Sequence, residues 1–346
     1  MLLDELDVPV VLAPLAGGPS TPELAAAVSN AGGLGFLAAG YLAAADLEQR
    51  IAALRELTAK PFGVNVFAPG DGPSEREAYA GYVERLGDWD TEIELGEPRY
   101  SDDGWEAKLE LLRAAPPAVV SFTFGCPEPP VIESLRAAGA EVWVTVTSPA
   151  EARQAHAAGA SGLVVQGAEA GGHRGSFRDE PDLPVYGLLP LLALLQAAVP
   201  LPLVATGGIA NGAAVAAVLC AGASAAQLGS AFMLAAEAGT APAHREALQT
   251  SEGTVLTRAF TGRLARGVRN RFITEHEAAA PIAYPEVHYL TAPMRRAARE
   301  QGDAGLINLW AGEAHELALK LPAAEIVARL DAEARTAIAM TYTRMR

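Results

Sequence analysis

The amino-acid sequence predicts an α/β protein built as a (β/α)8 (TIM) barrel, with a small helical subdomain inserted after the eighth strand. Eight short apolar runs alternate with helical segments over residues 8–232. The runs are continuous, which is typical of parallel strands buried on both faces, and eight such units make a closed barrel. An open doubly wound sheet would need a G-x-G-x-x-G motif after its first strand. The first run instead leads into APLAGGPSTP.

The first four units occupy the N-terminal third of the chain. The first helix begins with Thr21 as its N-cap and Pro22 at its first position, and Gly32 and Gly33 end it. Asp46 is a candidate cap for the second helix. Strands are predicted over 8–13, 34–39, 61–67 and 118–124, and helices over 21–30, 46–59 and 106–115. Residues 69–104 are acidic and rich in Gly and Pro, which indicates an irregular excursion with a short helix over 75–86.

The next units repeat the same alternation, and the rhythm changes after Phe232. Asn211 is predicted to cap the helix over 213–221. Strands are predicted over 141–147, 162–166, 202–205 and 225–228, and helices over 130–138, 149–158, 188–198 and 213–221. Prolines and arginines in 235–300 predict a small, mainly helical subdomain on the substrate side. Residues 1–234 and 301–346 would form the barrel, with final helices over 306–319 and 323–337.

Charge and cysteine content narrow the class of protein. The formal net charge is −15, which argues against nucleic-acid or anionic-membrane partners. Cys126 and Cys220 make no disulfide framework, so we expect a reducing cytoplasm. The N-terminus does not have the pattern of a signal peptide, and the longest mainly apolar run, 187–199, is too short to span a bilayer.

The stretch 162–177, GLVVQGAEAGGHRGSF, is the strongest candidate for chemistry. An apolar strand ends there in a loop with four glycines, which also carries Glu169, His173 and Arg174. Glycines let the backbone approach a ligand, and an imidazole exchanges protons near neutral pH. We therefore predict His173 as a general base. The alternative is a flexible surface turn with an incidental histidine.

The remaining histidines and Cys126 are expected to serve packing or the surface. Those histidines are His156, His244, His276, His288 and His315. No pair has H-x-x-x-H spacing, so no metal site is predicted. Cys126 lies on the predicted rim, where a small apolar filler is the favoured role.

Two further loops at predicted strand ends indicate a phosphate site. Gly207 and Gly208 follow the seventh strand, and Gly229 and Ser230 follow the eighth. Phosphate commonly binds at these two loops of such barrels. The amides Asn65, Gln166 and Gln227 stand on the same rim, and they suit the edge of a uracil-like ring such as that of a flavin. Tight turns without a ligand, and structural amides, are the alternatives.

Several stretches together resemble the nitronate monooxygenase family, formerly called 2-nitropropane dioxygenases. They are STPELAAAVSNAGGLG at 20–35, KPFGVNVF at 60–67, VSFTFGCP at 120–127, QGAEAGGHRG at 166–175, ATGGI at 205–209 and QLGSAF at 227–232, with NLWAGEAHELA in the tail. AGGLG, EAGGH and GGI are shared with flavin-dependent enoyl-acyl carrier protein reductases and with quinone reductases. The VSFTFGCP stretch and the STP opening favour the nitronate enzymes.

The resemblance implies a barrel that binds FMN non-covalently, with His173 in the place of the catalytic histidine. It implies oxidative denitrification, in which an alkyl nitronate or a nitroalkane and O2 give a carbonyl compound and nitrite without NAD(P)H. Leu15 is a departure, since many members have Met there. The implied FMN contacts are Asn65, Gln166, Gly171, Gly172, Gly207, Gly208, Gln227, Leu228, Gly229 and Ser230.

Two other functions stay open from the sequence. One is an NAD(P)H-dependent FMN reductase acting on an enoyl thioester or a quinone, which would oxidise NAD(P)H steadily. The other is a barrel that binds a phosphorylated metabolite without catalysis, which would purify without flavin colour. The expected partners are a small-molecule nitronate and O2, and the expected assembly is a monomer or homodimer.

Overall fold

A computed structural model of the protein describes residues 1–70, 72–89 and 94–346. Its strands are β1 (Val10–Leu12), β2 (Gly35–Ala38), β3 (Phe62–Phe67), β4 (Val119–Thr123), β5 (Glu141–Val146), β6 (Gly162–Gln166), β7 (Gly172–His173), β8 (Leu203–Thr206), β9 (Ala225–Leu228), β10 (Val255–Thr257) and β11 (Ala265–Gly267). The α-helices are α1 (Pro22–Asn30), α2 (Ala44–Leu57), α3 (Arg76–Trp89), α4 (Trp105–Ala114), α5 (Pro129–Ala138), α6 (Pro149–Ala157), α7 (Leu188–Ala198), α8 (Gly212–Cys220), α9 (Pro242–Thr250), α10 (Arg271–His276), α11 (Glu286–Gln301) and α12 (Ala323–Arg344).

Eight of these strands form one parallel sheet that closes on itself. The order around the sheet is β1-β9-β8-β6-β5-β4-β3-β2. A parallel bridge between Val11 and Leu34 joins the two ends, and the Leu12 amide donates to the Leu34 carbonyl at 2.9 Å. The predicted (β/α)8 barrel is therefore confirmed. Parallel register sets Asn65 beside Ser121 and Gln166 beside Thr206 at the carboxyl rim.

Apolar side chains fill both faces of the strands, as their continuous apolar runs predict. Val11, Phe36 and Trp143 are fully buried in a cluster inside the barrel. The alternate residues, such as Val10 and Val64, belong to a cluster shared with the surrounding helices, called the barrel–helix core here. Neighbours in the barrel differ in size: a Cβ on Gly63 would lie 2.3 Å from the Phe36 ring. This exchange of large and small residues fills the space within the barrel at close-packed density.

Helix caps follow the sequence in two cases and depart from it in one. The Leu24 amide donates to Thr21 Oγ1 at 3.0 Å, and the Ala214 amide donates to Asn211 Oδ1 at 2.9 Å. Both predicted N-caps are thus confirmed. The Asp46 cap is wrong, because α2 begins at Ala44 and Asp46 lies inside its first turn. There its carboxylate is stabilised by the helix dipole.

The predicted helix over 306–319 is wrong, whereas the final helix exists as α12. Residues 306–311 form no helix, since the Val268 amide donates to the Leu309 carbonyl at 2.8 Å and Gly267 bridges to Trp310. These backbone groups are used by β11 and are not free for helical hydrogen bonds. A single 3-10 turn, His315–Leu317, follows. α12 packs on α8 and α1 and covers the barrel there.

The excursion after β3 contains the predicted helix, which is α3 at Arg76–Trp89. Positions 71 and 90–93 of the predicted excursion lie outside the described residues. Tyr82 and Leu86 of α3 belong to a second apolar core with Phe260, Phe272 and Leu290. This core extends to residue 311.

A small antiparallel sheet lies beside this second core. It consists of β10, β11 and β7, and it joins the predicted subdomain to the His173 loop. The predicted division into 1–234 with 301–346 and 235–300 stays a prediction. Within the described ranges, no helix is long and apolar enough to cross a membrane.

Candidate active site

A cavity of about 510 Å³ lies at the carboxyl ends of the barrel strands, within the size range of small-molecule sites. The predicted site residues that line it are Asn65, Gln166, Gly171, Gly172, His173, Gly207, Gly208, Gln227, Gly229 and Ser230. Leu228 does not line it. Successive strand residues face opposite sides, so Gln227 faces the cavity while the Leu228 side chain packs into the barrel–helix core.

One end of the cavity carries backbone donors that the protein leaves unused. The two glycines after β8 have φ values of +122° and +67°, which residues with a side chain rarely adopt. Within the described ranges, the amides of Gly208, Gly229 and Ser230 donate to no protein acceptor. Ser230 Oγ accepts from the Gly312 amide at 2.8 Å, which leaves its hydroxyl hydrogen for a ligand. Such converging donors fit a phosphate group.

Two rim amides present hydrogen-bonding atoms to the same cavity. The Asn65 amide nitrogen donates to Ser121 O at 3.3 Å and to Thr123 Oγ1 at 3.0 Å. Because a carbonyl can only accept, this contact fixes the amide orientation and leaves Asn65 Oδ1 as an acceptor toward the cavity. The Gln227 side chain has no protein partner in the described part of the chain, although it is only 6% exposed.

Gln166 instead holds in place the loop 167–175, which carries His173 and is called the histidine loop here. Its Nε2 donates to the His173 carbonyl at 3.0 Å, and its Oε1 accepts from the Gly175 amide at 2.8 Å. Arg174 Nη1 donates to the Gln166 carbonyl at 3.2 Å. The amide that the sequence assigned to a ligand contact therefore fixes the backbone on both sides of the histidine.

His173 lies on β7, which pairs with β11 so that His173 is opposite Ala265. Its Nε2 is 2.9 Å from Thr261 Oγ1. Nδ1 has no protein partner among the described residues, and it is not sealed from the cavity that His173 lines. The imidazole is enclosed by three aromatic rings, those of Phe124, Tyr284 and Trp310, with centroids at 5.4–5.7 Å.

The surroundings of His173 keep its imidazole neutral. Burial lowers the pKa of His173 to about 3, and the positive charges of Arg263 and Arg295 lower it further in the same direction. A neutral imidazole has one nitrogen lone pair that can accept a proton. A ligand in the cavity would reach the imidazole through the open Nδ1 atom.

Arg295 on α11 is a site residue that the sequence reasoning missed. Its side chain lines the cavity but is only 4% exposed. Its Nη2 donates to the His288 carbonyl at 2.7 Å, and its Nε donates to Thr291 Oγ1 at 3.0 Å. No carboxylate pairs with it within the described ranges. A buried cation without a carboxylate favours an anionic ligand.

Three histidines taken for surface or packing residues also belong to the cavity wall. His244, His288 and His315 are buried, as a packing role predicts, and they also line the cavity. His276 packs in the second core, and His156 is exposed on α6, as expected. The three were missed because the segment 244–315 is far from the glycine loops in sequence. α9, α11 and the 3-10 turn return to the barrel mouth only in the folded chain.

An aromatic wall separates the main cavity from a second cavity of about 320 Å³. Tyr41, Phe67 and Phe124 line both cavities, and the Tyr41 hydroxyl lies 3.0 Å from that of Tyr284. Tyr41 and Phe124 have φ values of +67° and +76°, which are unusual and costly for bulky residues. We call Tyr41, Phe67, Phe124 and Tyr284 the aromatic wall.

Metal and thiol chemistry find no support in the site. No group of His, Cys, Asp or Glu side chains in the described part of the chain could hold a metal ion. Cys126 is half-buried against the barrel–helix core and does not line the main cavity. Burial, with a smaller effect of Glu128, raises the pKa of its thiol to about 11. It is therefore protonated at neutral pH.

Comparison with known proteins shows which family the chain resembles. The family model described as Nitronate monooxygenase matches residues 2–333. A Staphylococcus aureus protein named probable nitronate monooxygenase is 36% identical over 338 residues, which cover 94% of each chain. The solved structure of nitroalkane oxidase from Streptomyces ansochromogenes is 50% identical, with a TM-score of 0.95 over 98% of this chain and 99% of that chain.

A more distant solved structure, FabK from Thermotoga maritima, is 26% identical. It covers 99% of this chain and 97% of its own, with a TM-score of 0.78. The family model and the two closer matches agree with the barrel and with the fit of the cavity to a small molecule. The chain is an oxidoreductase, and it belongs to the nitronate monooxygenase family.

Proposed function

We propose that the protein binds FMN in the barrel mouth and uses O2 to oxidise alkyl nitronates, and nitroalkanes after their deprotonation, to carbonyl compounds and nitrite. The observation that carries the proposal is the neutral imidazole of His173, whose open Nδ1 shares a cavity with the buried cation Arg295. A base beside a cation suits a substrate that becomes an anion when it loses its α-proton.

The donor and acceptor set of the cavity fits FMN. The unused amides of Gly208, Gly229 and Ser230 would hold its phosphate. Asn65 Oδ1 and the unpaired Gln227 amide would meet the polar edge of its ring system. Bound FMN would supply the redox chemistry. The protein contributes orientation, a cavity enclosed by aromatic rings, and the movement of one proton.

The charges around His173 act on substrate and base in opposite ways. Arg295, which lines the cavity, would stabilise a nitronate anion there, and Arg295 and Arg263 both disfavour an imidazolium. A bound nitronate brings a negative charge that raises the pKa of His173 again. The imidazole can thus take the α-proton of a neutral nitroalkane and keep it while the anion is present. A preformed nitronate needs no such transfer.

The test compares His173→Ala with the wild-type enzyme on both kinds of substrate. We expect the variant to retain its flavin absorbance, while turnover of a neutral nitroalkane falls by roughly 10²- to 10⁴-fold, the usual contribution of a general base. His156→Ala, on the exposed face of α6, is the matched control and should be unchanged. Full activity of His173→Ala on nitronates and nitroalkanes alike would show that the assigned role is wrong.

The AGGLG, EAGGH and GGI motifs, which are shared with flavin-dependent reductases, keep an NAD(P)H-dependent reductase as a second candidate. Anaerobic mixing of the purified holoenzyme with a nitronate, and separately with NADH, separates the two. Loss of oxidised flavin absorbance with the nitronate alone supports the proposal. Rapid loss with NADH, and none with the nitronate, would select the reductase.

We also propose a cytoplasmic location. Cys126 and Cys220 are both free thiols, which suits a reducing compartment. The expected monomer or homodimer stays a prediction, to be decided by sedimentation of the holoenzyme.

A further inference from the structure

We infer that Thr261 is a positioning residue that fixes the tautomer of His173, so that the proton lies on Nε2 and the Nδ1 lone pair faces the cavity. The inference rests on the proposed function, because it assigns the direction in which the proposed base works. Thr261 follows β10, precedes β11, and is only 1% exposed.

The backbone holds the Thr261 hydroxyl beside the imidazole. Gly262 has a φ of +73°, and its amide donates to the Arg258 carbonyl at 2.8 Å, which makes a tight turn. A Cβ on Gly262 would lie 2.3 Å from the Ala283 carbonyl oxygen, so the turn is also fixed by packing. Thr261 Oγ1 therefore has little freedom to leave its position 2.9 Å from His173 Nε2.

A count of protons around Oγ1 selects one arrangement. Oγ1 lies 3.3 Å from the Arg263 carbonyl, 3.4 Å from the Arg263 amide and 2.9 Å from His173 Nε2. A hydroxyl has one donor and two acceptor positions. If it donates to the carbonyl, it accepts from the amide and from Nε2–H, and all three contacts are satisfied.

The opposite arrangement leaves a buried group unpaired. If the hydroxyl donated to Nε2, the Arg263 carbonyl would lose its donor, and within the described ranges no other group donates to it. Arg263 is only 7% exposed, so water does not readily replace that donor. An unpaired buried carbonyl is costly. The Nε2–H tautomer is therefore favoured.

The favoured tautomer gives the cavity a base. Nδ1 then carries the lone pair and is open toward the cavity, where it can take a proton from a neutral nitroalkane. In the other tautomer Nδ1 carries a proton and cannot take one. Thr261 acts through the histidine in this scheme, and oxidation of a preformed nitronate does not depend on it.

The test uses Thr261→Val, which keeps the shape and removes the hydroxyl, with Thr261→Ser as the rescue variant. We expect kcat/KM for a neutral nitroalkane to fall roughly 10- to 100-fold in Thr261→Val, by analogy with other wrong-tautomer variants. Activity on the preformed nitronate should stay within about twofold, and Thr261→Ser should restore most of the loss. In ¹⁵N NMR of the holoenzyme, His173 Nδ1 should be unprotonated in wild type and protonated in Thr261→Val.

Three results would overturn the inference. They are an unchanged nitroalkane rate in Thr261→Val, an equal loss on both substrates, which indicates a merely structural role, and a wild-type His173 protonated at Nδ1. Failure of the proposed function is distinguishable from all three. A wild-type enzyme that oxidises neither substrate would refute that function, while the NMR spectrum would still report the tautomer.

Discussion

Asn65 and Gln227 differ in how much of their hydrogen-bonding capacity the protein uses. Ser121 and Thr123 accept both hydrogens of the Asn65 amide nitrogen, and the amide oxygen is left for a ligand. Both ends of the Gln227 amide stay available. At Asn65, neighbouring groups hydrogen-bond to the amide nitrogen and so leave the oxygen available to a ligand. Thr261 does the same for the imidazole of His173.

Arg295 gives a prediction about pH dependence. Its charge lowers the pKa of His173, so Arg295→Gln should raise that pKa. The acidic limb of the kcat/KM profile for a nitroalkane should then move to higher pH, because the imidazole protonates sooner. We also expect KM for a nitronate to rise roughly tenfold, since a charge-assisted contact is lost. Steady-state kinetics across pH measure both effects.

The neighbouring Arg296 supplies the control for this variant. Arg296 is exposed on the same helix, and Arg296→Gln changes the same net charge away from the cavity. Arg296→Gln should leave both the acidic limb of the kcat/KM profile and the KM for a nitronate unchanged. Equal shifts in the two variants would mean that general charge, and not the cavity, is responsible.

Sequence reasoning located the glycine loops and His173 because each follows a strand whose end can be read from its apolar run. It missed Arg295 and His288, which lie on α11, more than 100 residues beyond the histidine loop. In the sequence, an arginine in a helix has the pattern of a solvated face. Only the packing of α11 across the barrel mouth buries it, and no local pattern encodes that packing.

Elements hold the histidine loop from two sides. β11 pairs with β7, and Gly171 packs against the segment after Leu309. That segment explains why a helix was wrongly predicted over 306–319. Its apolar residues fit a helical face, but its backbone hydrogen bonds go to β11 and to Glu169. The eight barrel strands were predicted more successfully, because burial on both faces leaves a continuous apolar run, whereas β7, β10 and β11 were not predicted.

Gly171→Ala tests this support for the loop. A Cβ at Gly171 would lie 2.5 Å from backbone atoms of Ala311 and Gly312, which cannot move without shifting the whole segment. We expect a loss of about 1–3 kcal/mol in unfolding free energy, as for other overpacked sites, together with reduced nitroalkane turnover. Chemical denaturation and kinetics provide the measurements.

Gly81 offers a matched substitution at an open position. It lies inside α3 with nothing within 4 Å of an added Cβ. Gly81→Ala should therefore stabilise by roughly 0.5–1 kcal/mol and leave turnover unchanged. If Gly171→Ala behaved like Gly81→Ala, the segment after Leu309 would not be holding the loop.

The whole molecule contains buried histidines both in the cavity wall, such as His244, and in the second core, such as His276. Burial lowers the pKa of His244 to about 4, and burial also lowers the pKa of His276. The unfolded chain protonates such groups near their ordinary value of about 6.5. Between that value and about 4 the unfolded state binds more protons. Stability should therefore fall as pH decreases through this window.

Thermal unfolding of the holoenzyme at pH values between 7.5 and 4.5 tests this expectation. Both ring nitrogens of His276 lack partners, and its side chain is 1% exposed among Trp89 and Phe272. His276→Leu should raise the unfolding free energy by about 1 kcal/mol at neutral pH and by more in acid, because it removes an unsatisfied polar group. His156→Gln should lose as much stability in acid as the wild type does. If His276→Leu also lost as much stability in acid as the wild type, groups other than His276 would be responsible.

The aromatic wall between the two cavities could be opened by substitution of a single residue, Phe124. Phe124 lies between the main cavity and the second cavity of about 320 Å³, and its buried ring packs on Phe67, His173 and Tyr284. Its φ of +76° is the conformation that glycine adopts most readily. The replacement that the backbone favours is also the one that would open a passage between the compartments. If the proposed function holds, such a change would let longer nitro compounds enter, at the expense of the contacts that the Phe124 ring makes with His173 and Tyr284.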